Sequence, residues 1–158
     1  MIKTVIMSMD TLLFEKEHVE HYKEQSGIPV KEGVSTLLSY LKTHGYRTVL
    51  AANQTESYAK EILKAADIEK YFDYLIFANM IEKAKPDPEI FVLASKKSYT
   101  PAEECLVLED SADGVFAAHA AGCHVILITE GETVDAKVEA MADAVEDSLK
   151  EVLEIVKL

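Results

Sequence analysis

Seven positions combine residue types and spacing that can do chemistry: Ser8 with Asp10, Asn53 beside Gln54, Lys85, and Glu109 with Asp110 as neighbours. All but Lys85 directly follow a short apolar run, and Lys85 opens the Lys-Pro-Asp-Pro turn (85–88) of a later segment. Two carboxylates and a lysine gathered at one place suit a Mg²⁺ ion and a phosphate group. Magnesium takes oxygen ligands, commonly one or two carboxylates completed by water, and a lysine balances phosphoryl charge. Each residue taken singly also has a structural role. Asp10 can cap a turn, Lys85 lies in a rigid Lys-Pro-Asp-Pro turn (85–88), and Glu109-Asp110-Ser111 ahead of a helix is an N-cap signal. Their conjunction at one place is what favours chemistry, so the elements that carry them matter most.

Residues 4–7 read as a parallel strand covered on both faces, because they form a short apolar β-rich run bounded by polar residues. Further strands are predicted over 46–52, 73–78, 105–108 and 125–128, with a short one at 144–145. Helices are predicted between them. Phe14, His18 and Tyr22 share one helical face that Gly27 and Pro29 terminate. Val34, Leu37, Leu38 and Leu41 make an amphipathic stripe that stops at Gly45. Thr55 suits the N-cap of a helix burying Ala59, Ile62, Leu63 and Ala66. Asp87 and Pro88 suit the start of another, and Thr-Pro-Ala-Glu (100–103) reads as a capping box for a one-turn helix. A helix over 112–121 ends at Gly122, and Leu149, Val152, Leu153 and Val156 mark the last. This alternation with short connections predicts one α/β domain over residues 1–158, a three-layer, doubly wound parallel sheet. In such a sheet ligands sit beyond the carboxyl ends of the strands, which is where the polar residues fall.

The chain of 158 residues carries 16 basic and 28 acidic side chains, a formal charge of −12 and a pI near 4.8. That balance excludes a polyphosphate partner such as nucleic acid, which needs clustered Lys and Arg, and it excludes adhesion to anionic membranes. No apolar stretch has the length of a membrane span or of a signal peptide's hydrophobic region, so a cytoplasmic location is expected. Cys105 and Cys123 each open an apolar run and read as buried, reduced thiols. Neither has a Cys or His neighbour at zinc-ligand spacing. His119 and His124 read as surface or packing histidines.

The order Val-Ile-Met-Ser-Met-Asp (5–10), Ala-Ala-Asn-Gln (51–54), Lys-Pro-Asp-Pro-Glu-Ile-Phe (85–91) and Leu-Val-Leu-Glu-Asp-Ser-Ala-Asp-Gly (106–114) resembles the haloacid dehalogenase (HAD) superfamily. Within it the likeness is to the beta-phosphoglucomutase and phosphoglycolate phosphatase branch. The last two motifs are close to intact and the first two are degraded. In that family the first strand ends in Asp-x-Asp-Gly: the first Asp attacks the phosphate and binds Mg²⁺, and the second is the general acid/base. The resemblance places Ser8 at the nucleophile, Asp10 at the acid/base and Thr11 at the glycine. It places Ala52 where the family has a phosphate-binding Ser or Thr, with Asn53 beside it. Lys85 matches the phosphate-binding lysine, Asp110 a Mg²⁺ ligand, and Glu109 a support of the metal site. A helical cap also follows the first strand in the family. Here only the segment 13–30 stands in its place, room for one helix.

These departures imply a weakened Mg²⁺ site and impaired or absent catalysis. Several coincident changes fit a lineage released from catalysis better than a single engineered knockout. Two alternatives stay open. One is a Mg²⁺-dependent phosphomonoester hydrolase of altered mechanism, with Asp10 as base or nucleophile. The other is a non-enzymatic protein that binds a small phosphorylated molecule or has a regulatory role. A receiver-like domain fits the two intact motifs poorly. With no cap, Leu12, Leu13 and Phe14 are expected to be partly exposed, a candidate surface for a homodimer or protein partner.

Overall fold

The computed structural model of the chain describes residues 1–24 and 26–157. Its strands are β1 (Thr4–Met7), β2 (Arg47–Ala51), β3 (Tyr74–Ile76), β4 (Cys105–Glu109), β5 (His124–Ile128) and β6 (Ala144–Glu146). The helices are α1 (Lys16–Glu20), α2 (Val34–Thr43), α3 (Glu56–Ala65), α4 (Glu89–Lys97), α5 (Ala112–Ala120), α6 (Ala136–Met141) and α7 (Leu149–Val156). All strand pairs are parallel, in the order β3-β2-β1-β4-β5-β6. The chain winds outward from β1 in one direction to β3, then returns beside β1 with β4 and winds the other way. The switch point therefore lies between β1 and β4, and the crevice beyond their carboxyl ends is where such a sheet takes ligands.

Strand residues alternate between two cores, because successive side chains point to opposite faces. Val5, Met7, Leu50, Leu106, Leu108, Ile126 and Ile128 face a core built with α2, α3 and α7. Ile6, Val49, Ala51, Cys105, Val107, Val125 and Leu127 face the other, built with α4, α5 and α6. Burial on both faces explains why the central strands read as continuous apolar runs. This is the three-layer architecture expected from the sequence.

Several local expectations are corrected. The stretch after β1 forms a 3₁₀ turn at Asp10–Leu12, the five-residue α1, and a second 3₁₀ turn at Tyr22–Glu24, not one helix carrying Phe14, His18 and Tyr22. Gln25, inside the 13–30 segment, lies outside the described residues. Phe14 precedes α1 and is buried with Leu12 and Leu13, at 0%, 2% and 0% exposure. The Lys31 amide donates to the Leu13 carbonyl at 2.8 Å. These side chains complete the first core themselves, so the apolar patch expected at the place of a cap does not exist. Thr55 occupies an N-cap position without a side-chain bond. Thr100 makes no capping box, because its hydroxyl bonds Thr4 and the Ser98 carbonyl (2.7 and 2.9 Å). Helix α6, which begins at the Asp135 cap, was not foreseen.

Candidate functional site

A cavity of about 470 Å³ opens at the switch point, lined among others by Ser8, Asp10, Asn53, Gln54, Lys85, Glu109, Asp110 and Asp113. The structure thus gathers every site residue expected from the sequence except one. Ala52 is fully buried in the first core and does not line the cavity. Period-two alternation explains this: Ala52 shares the face of Leu50, whereas Ser8 continues the face of Ile6 and Glu109 that of Val107. Ala52 thus offers no hydroxyl and no lining surface.

Glu109, the last residue of β4, is 1% exposed and organises the floor. Its Oε2 accepts from Lys85 Nζ at 2.5 Å, and its Oε1 accepts from Ser8 Oγ at 3.1 Å and from the Asp110 amide at 2.9 Å. A buried carboxylate needs this degree of pairing to persist. The two well-kept motifs are what build the pair. In the first, the Lys85–Pro86 peptide is cis, and the Asp87 carboxylate accepts from the Glu89 amide at 3.0 Å to start α4. Lys85 Nζ also sits 5.2 Å from the centroid of the buried Phe91 ring, a cation–π contact. The six-residue spacing from Lys85 to Phe91 therefore aims the ammonium at Glu109. In the second motif, Ser111 caps α5 by accepting from the Gly114 amide at 3.1 Å. Gly114 brings the helix backbone against Glu109 so closely that a Cβ there would fall 2.1 Å from Glu109 Cδ and Cγ.

Replacing Lys85 with Met is expected to lower stability by about 3 kcal/mol, because it strands a buried charge while keeping similar volume. Urea unfolding measures it. A double variant, Lys85→Met with Glu109→Gln, should recover part of the loss, since two neutral partners avoid the unpaired charge.

Asp10 has a left-handed backbone (φ 55°), tolerated by Asp better than by most residues. Gln54 Nε2 donates to its Oδ2, while its buried Oδ1 has no hydrogen-bond partner. Burial raises the Asp10 pKa above the ordinary carboxylate range, and the Gln54 bond opposes that in part. Folded Asp10 therefore holds its proton more tightly than the unfolded chain does. Its contribution to stability is present below the ordinary carboxylate pKa and is lost as pH rises through the raised value. Asp10→Asn keeps the backbone conformation and removes that loss. The variant should gain on the native protein as pH rises above the ordinary carboxylate range, measured as the urea midpoint at each pH. Gln54 is the partner that the sequence did not reveal; its only signal was its place after β2.

His119 and His124 are surface residues that do not line the cavity, as the sequence suggests. His124 Nδ1 lies 3.4 Å from an Asp143 carboxylate oxygen. Cys105 and Cys123 are buried free thiols.

The donors gathered here are not free to hold the Mg²⁺ ion that the family resemblance implies. Both Glu109 oxygens are engaged by Lys85, Ser8 and an amide. Ser8 supplies a hydroxyl that donates, and Asp10 Oδ2 is held by Gln54. Among the described residues no three His, Cys, Asp or Glu side chains converge as a metal would require. Asp110 remains at the cavity wall, but the set as arranged does not fit a carboxylate cradle for Mg²⁺.

The fold is that of a doubly wound, Rossmann-like α/β core, and comparison with known proteins agrees with its two intact motifs. The haloacid dehalogenase-like hydrolase family matches residues 5–122. The chain belongs to that family. It is 36% identical over 111 residues to the phosphorylated carbohydrates phosphatase of Thermotoga maritima, covering 69% of this chain and 51% of that protein. It is 30% identical over 126 residues to the phosphoglycolate phosphatase of Nitrosospira multiformis, covering 79% and 56%. The chain therefore spans about half the length of the curated relatives it matches. Among solved structures, CbbY of Rhodobacter sphaeroides in complex with phosphate superposes with a TM-score of 0.80 at 21% identity, covering 96% of each chain. Beta-phosphoglucomutase of Clostridium difficile gives 0.80 at 16% identity, covering 99% of this chain and 96% of that one. At these identities the two structures bear on the fold. Between β1 and α2, the place of the family's helical cap, the described residues form no helix longer than the five residues of α1. Among them, no helix is long and apolar enough to cross a membrane.

Proposed function

We propose that this chain is a haloacid dehalogenase-like domain without aspartyl-phosphate chemistry, a non-catalytic member that acts by binding. One observation carries the reading: the nucleophile position holds Ser8, whose hydroxyl donates to Glu109. A serine attacks phosphorus only if an adjacent base takes its proton. The carboxylate in contact with Ser8 is Glu109, and its oxygens are already engaged by the Lys85 ammonium at 2.5 Å and the Asp110 amide at 2.9 Å, so it is poorly placed to take that proton. The cavity wall adds Asp10, Asp110 and Asp113 to Glu109, against Lys85 alone. A phosphorylated small molecule entering it must bring its own countercharge or displace the Lys85–Glu109 pair.

A metal-dependent hydrolase using Asp10 as nucleophile is the competing reading. The geometry of Asp10 weighs against it, because Gln54 engages its Oδ2 and burial disfavours its ionised form, the one an attacking carboxylate needs.

Calorimetric titration of the native protein with Mg²⁺ at neutral pH tests the reading. No saturable heat is expected up to millimolar concentration, and Ser8→Asp should restore binding by returning a carboxylate to the floor. Saturable binding to the native protein as tight as to Ser8→Asp would contradict it.

A further inference from the structure

The site leaves unused a pair of sulfurs at the opposite end of the same strands. Cys105 opens β4 and Cys123 immediately precedes β5. The two strands run in register with Leu106 opposite His124, so one step toward their amino ends sets Cys105 beside Cys123. Both side chains belong to the second core, on one face of the sheet. Both are free thiols, and the Cys105 Sγ donates to the Thr100 carbonyl at 3.8 Å. Neighbouring strands lie about 4.8 Å apart, inside the Cα separation of roughly 4.4–6.8 Å that a disulfide spans.

We propose that Cys105 and Cys123 form a reversible dithiol–disulfide site, oxidised by exchange with a low-molecular-weight disulfide. The neighbouring sulfur draws the Cys105 thiol below its ordinary pKa, and Cys105 together with burial pushes Cys123 up. Cys105 is fully buried, whereas Cys123 is 7% exposed and lies between the exposed residues Gly122 and His124. A reagent therefore meets Cys123. The Cys123 thiol loses its proton to solvent as its sulfur attacks one sulfur of the small disulfide and expels the other half as a thiolate, giving a mixed disulfide. Cys105, deprotonated in turn, attacks the Cys123 sulfur and expels the second half. Two protein thiols are oxidised, one small disulfide is reduced to two thiols, and the two protons end on those thiols. The new bond closes the loop that carries Glu109, Asp110, Ser111 and Gly114, bracing the acidic wall of the cavity from behind.

The test incubates native protein in graded mixtures of reduced and oxidised glutathione, quenches with acid, unfolds, alkylates and measures intact mass. In reducing mixtures two alkyl groups should add. In oxidising mixtures none should add, the mass should fall by two hydrogens, and dithiothreitol should reverse the change. Closing this loop should also raise the melting temperature by roughly 5 °C. Cys123→Ser should show no such rise. Two alkyl groups at every ratio would overturn the proposal, as would a mixed glutathione adduct that never resolves or oxidation only to cross-linked dimers.

Discussion

Gly114→Ala is expected to lower stability by about 4 kcal/mol or more, beyond the usual range for a single surface-helix substitution. The added methyl would occupy the space of the Glu109 carboxylate, 2.1–2.2 Å from its Cγ, Cδ and Oε2. Neither side can yield cheaply. The methyl is fixed to helix backbone, and Glu109 is anchored by Lys85, Ser8 and the Asp110 amide. If the carboxylate is displaced, Lys85 loses its partner while its side chain stays 9% exposed. Breaking such a pair costs about 3–5 kcal/mol, and overpacking about 1–3 kcal/mol. In a domain of this size the melting temperature should fall by roughly 10 °C. Urea and thermal unfolding followed by circular dichroism measure both. Combining Gly114→Ala with Glu109→Ala should cost less than the two single losses together, because one contact is removed twice. A loss below about 1 kcal/mol for Gly114→Ala would mean that α5 does not press on Glu109 as described.

The glycine shows how far local sequence speaks about this site. Glu-Asp-Ser-x-x-Gly is legible as an N-cap followed by a helix, and the cap forms through Ser111. What the glycine makes room for depends on β4 and α5 meeting in three dimensions, which no local pattern encodes. Lys85 behaves likewise. Its turn and the start of α4 are readable from Pro86, Asp87 and Pro88, whereas its pairing with a glutamate 24 residues away is not. The sheet itself was readable because central strands covered on both faces are apolar without interruption. Failures fall where short-range signals compete with tertiary packing. Phe14 has helical spacing with His18 and Tyr22, yet its ring is worth more inside the core, so the helix begins after it. Thr100 has the spacing of a capping box, but the buried Thr4 hydroxyl claims it. Ala52 was placed by family likeness at a phosphate, and its parity along β2 puts it in the core. Gln54 carried no signal of its bond to Asp10, because the left-handed turn at Asp10 that presents the carboxylate is a product of the whole crevice.

What the site does turns on Ser8. An Asp at that position would stand beside Glu109, a like-charge pair that a divalent cation relieves, and it would supply an ionised nucleophile. The most direct measurement is Mg²⁺-dependent hydrolysis of p-nitrophenyl phosphate by the native protein and by Ser8→Asp, purified in parallel and assayed together. The native protein should stay at the background of a no-protein control, and Ser8→Asp should rise above it by roughly tenfold to a thousandfold. Metal-dependent turnover by the native protein that Asp10→Asn abolishes and Ser8→Asp does not increase would contradict the account.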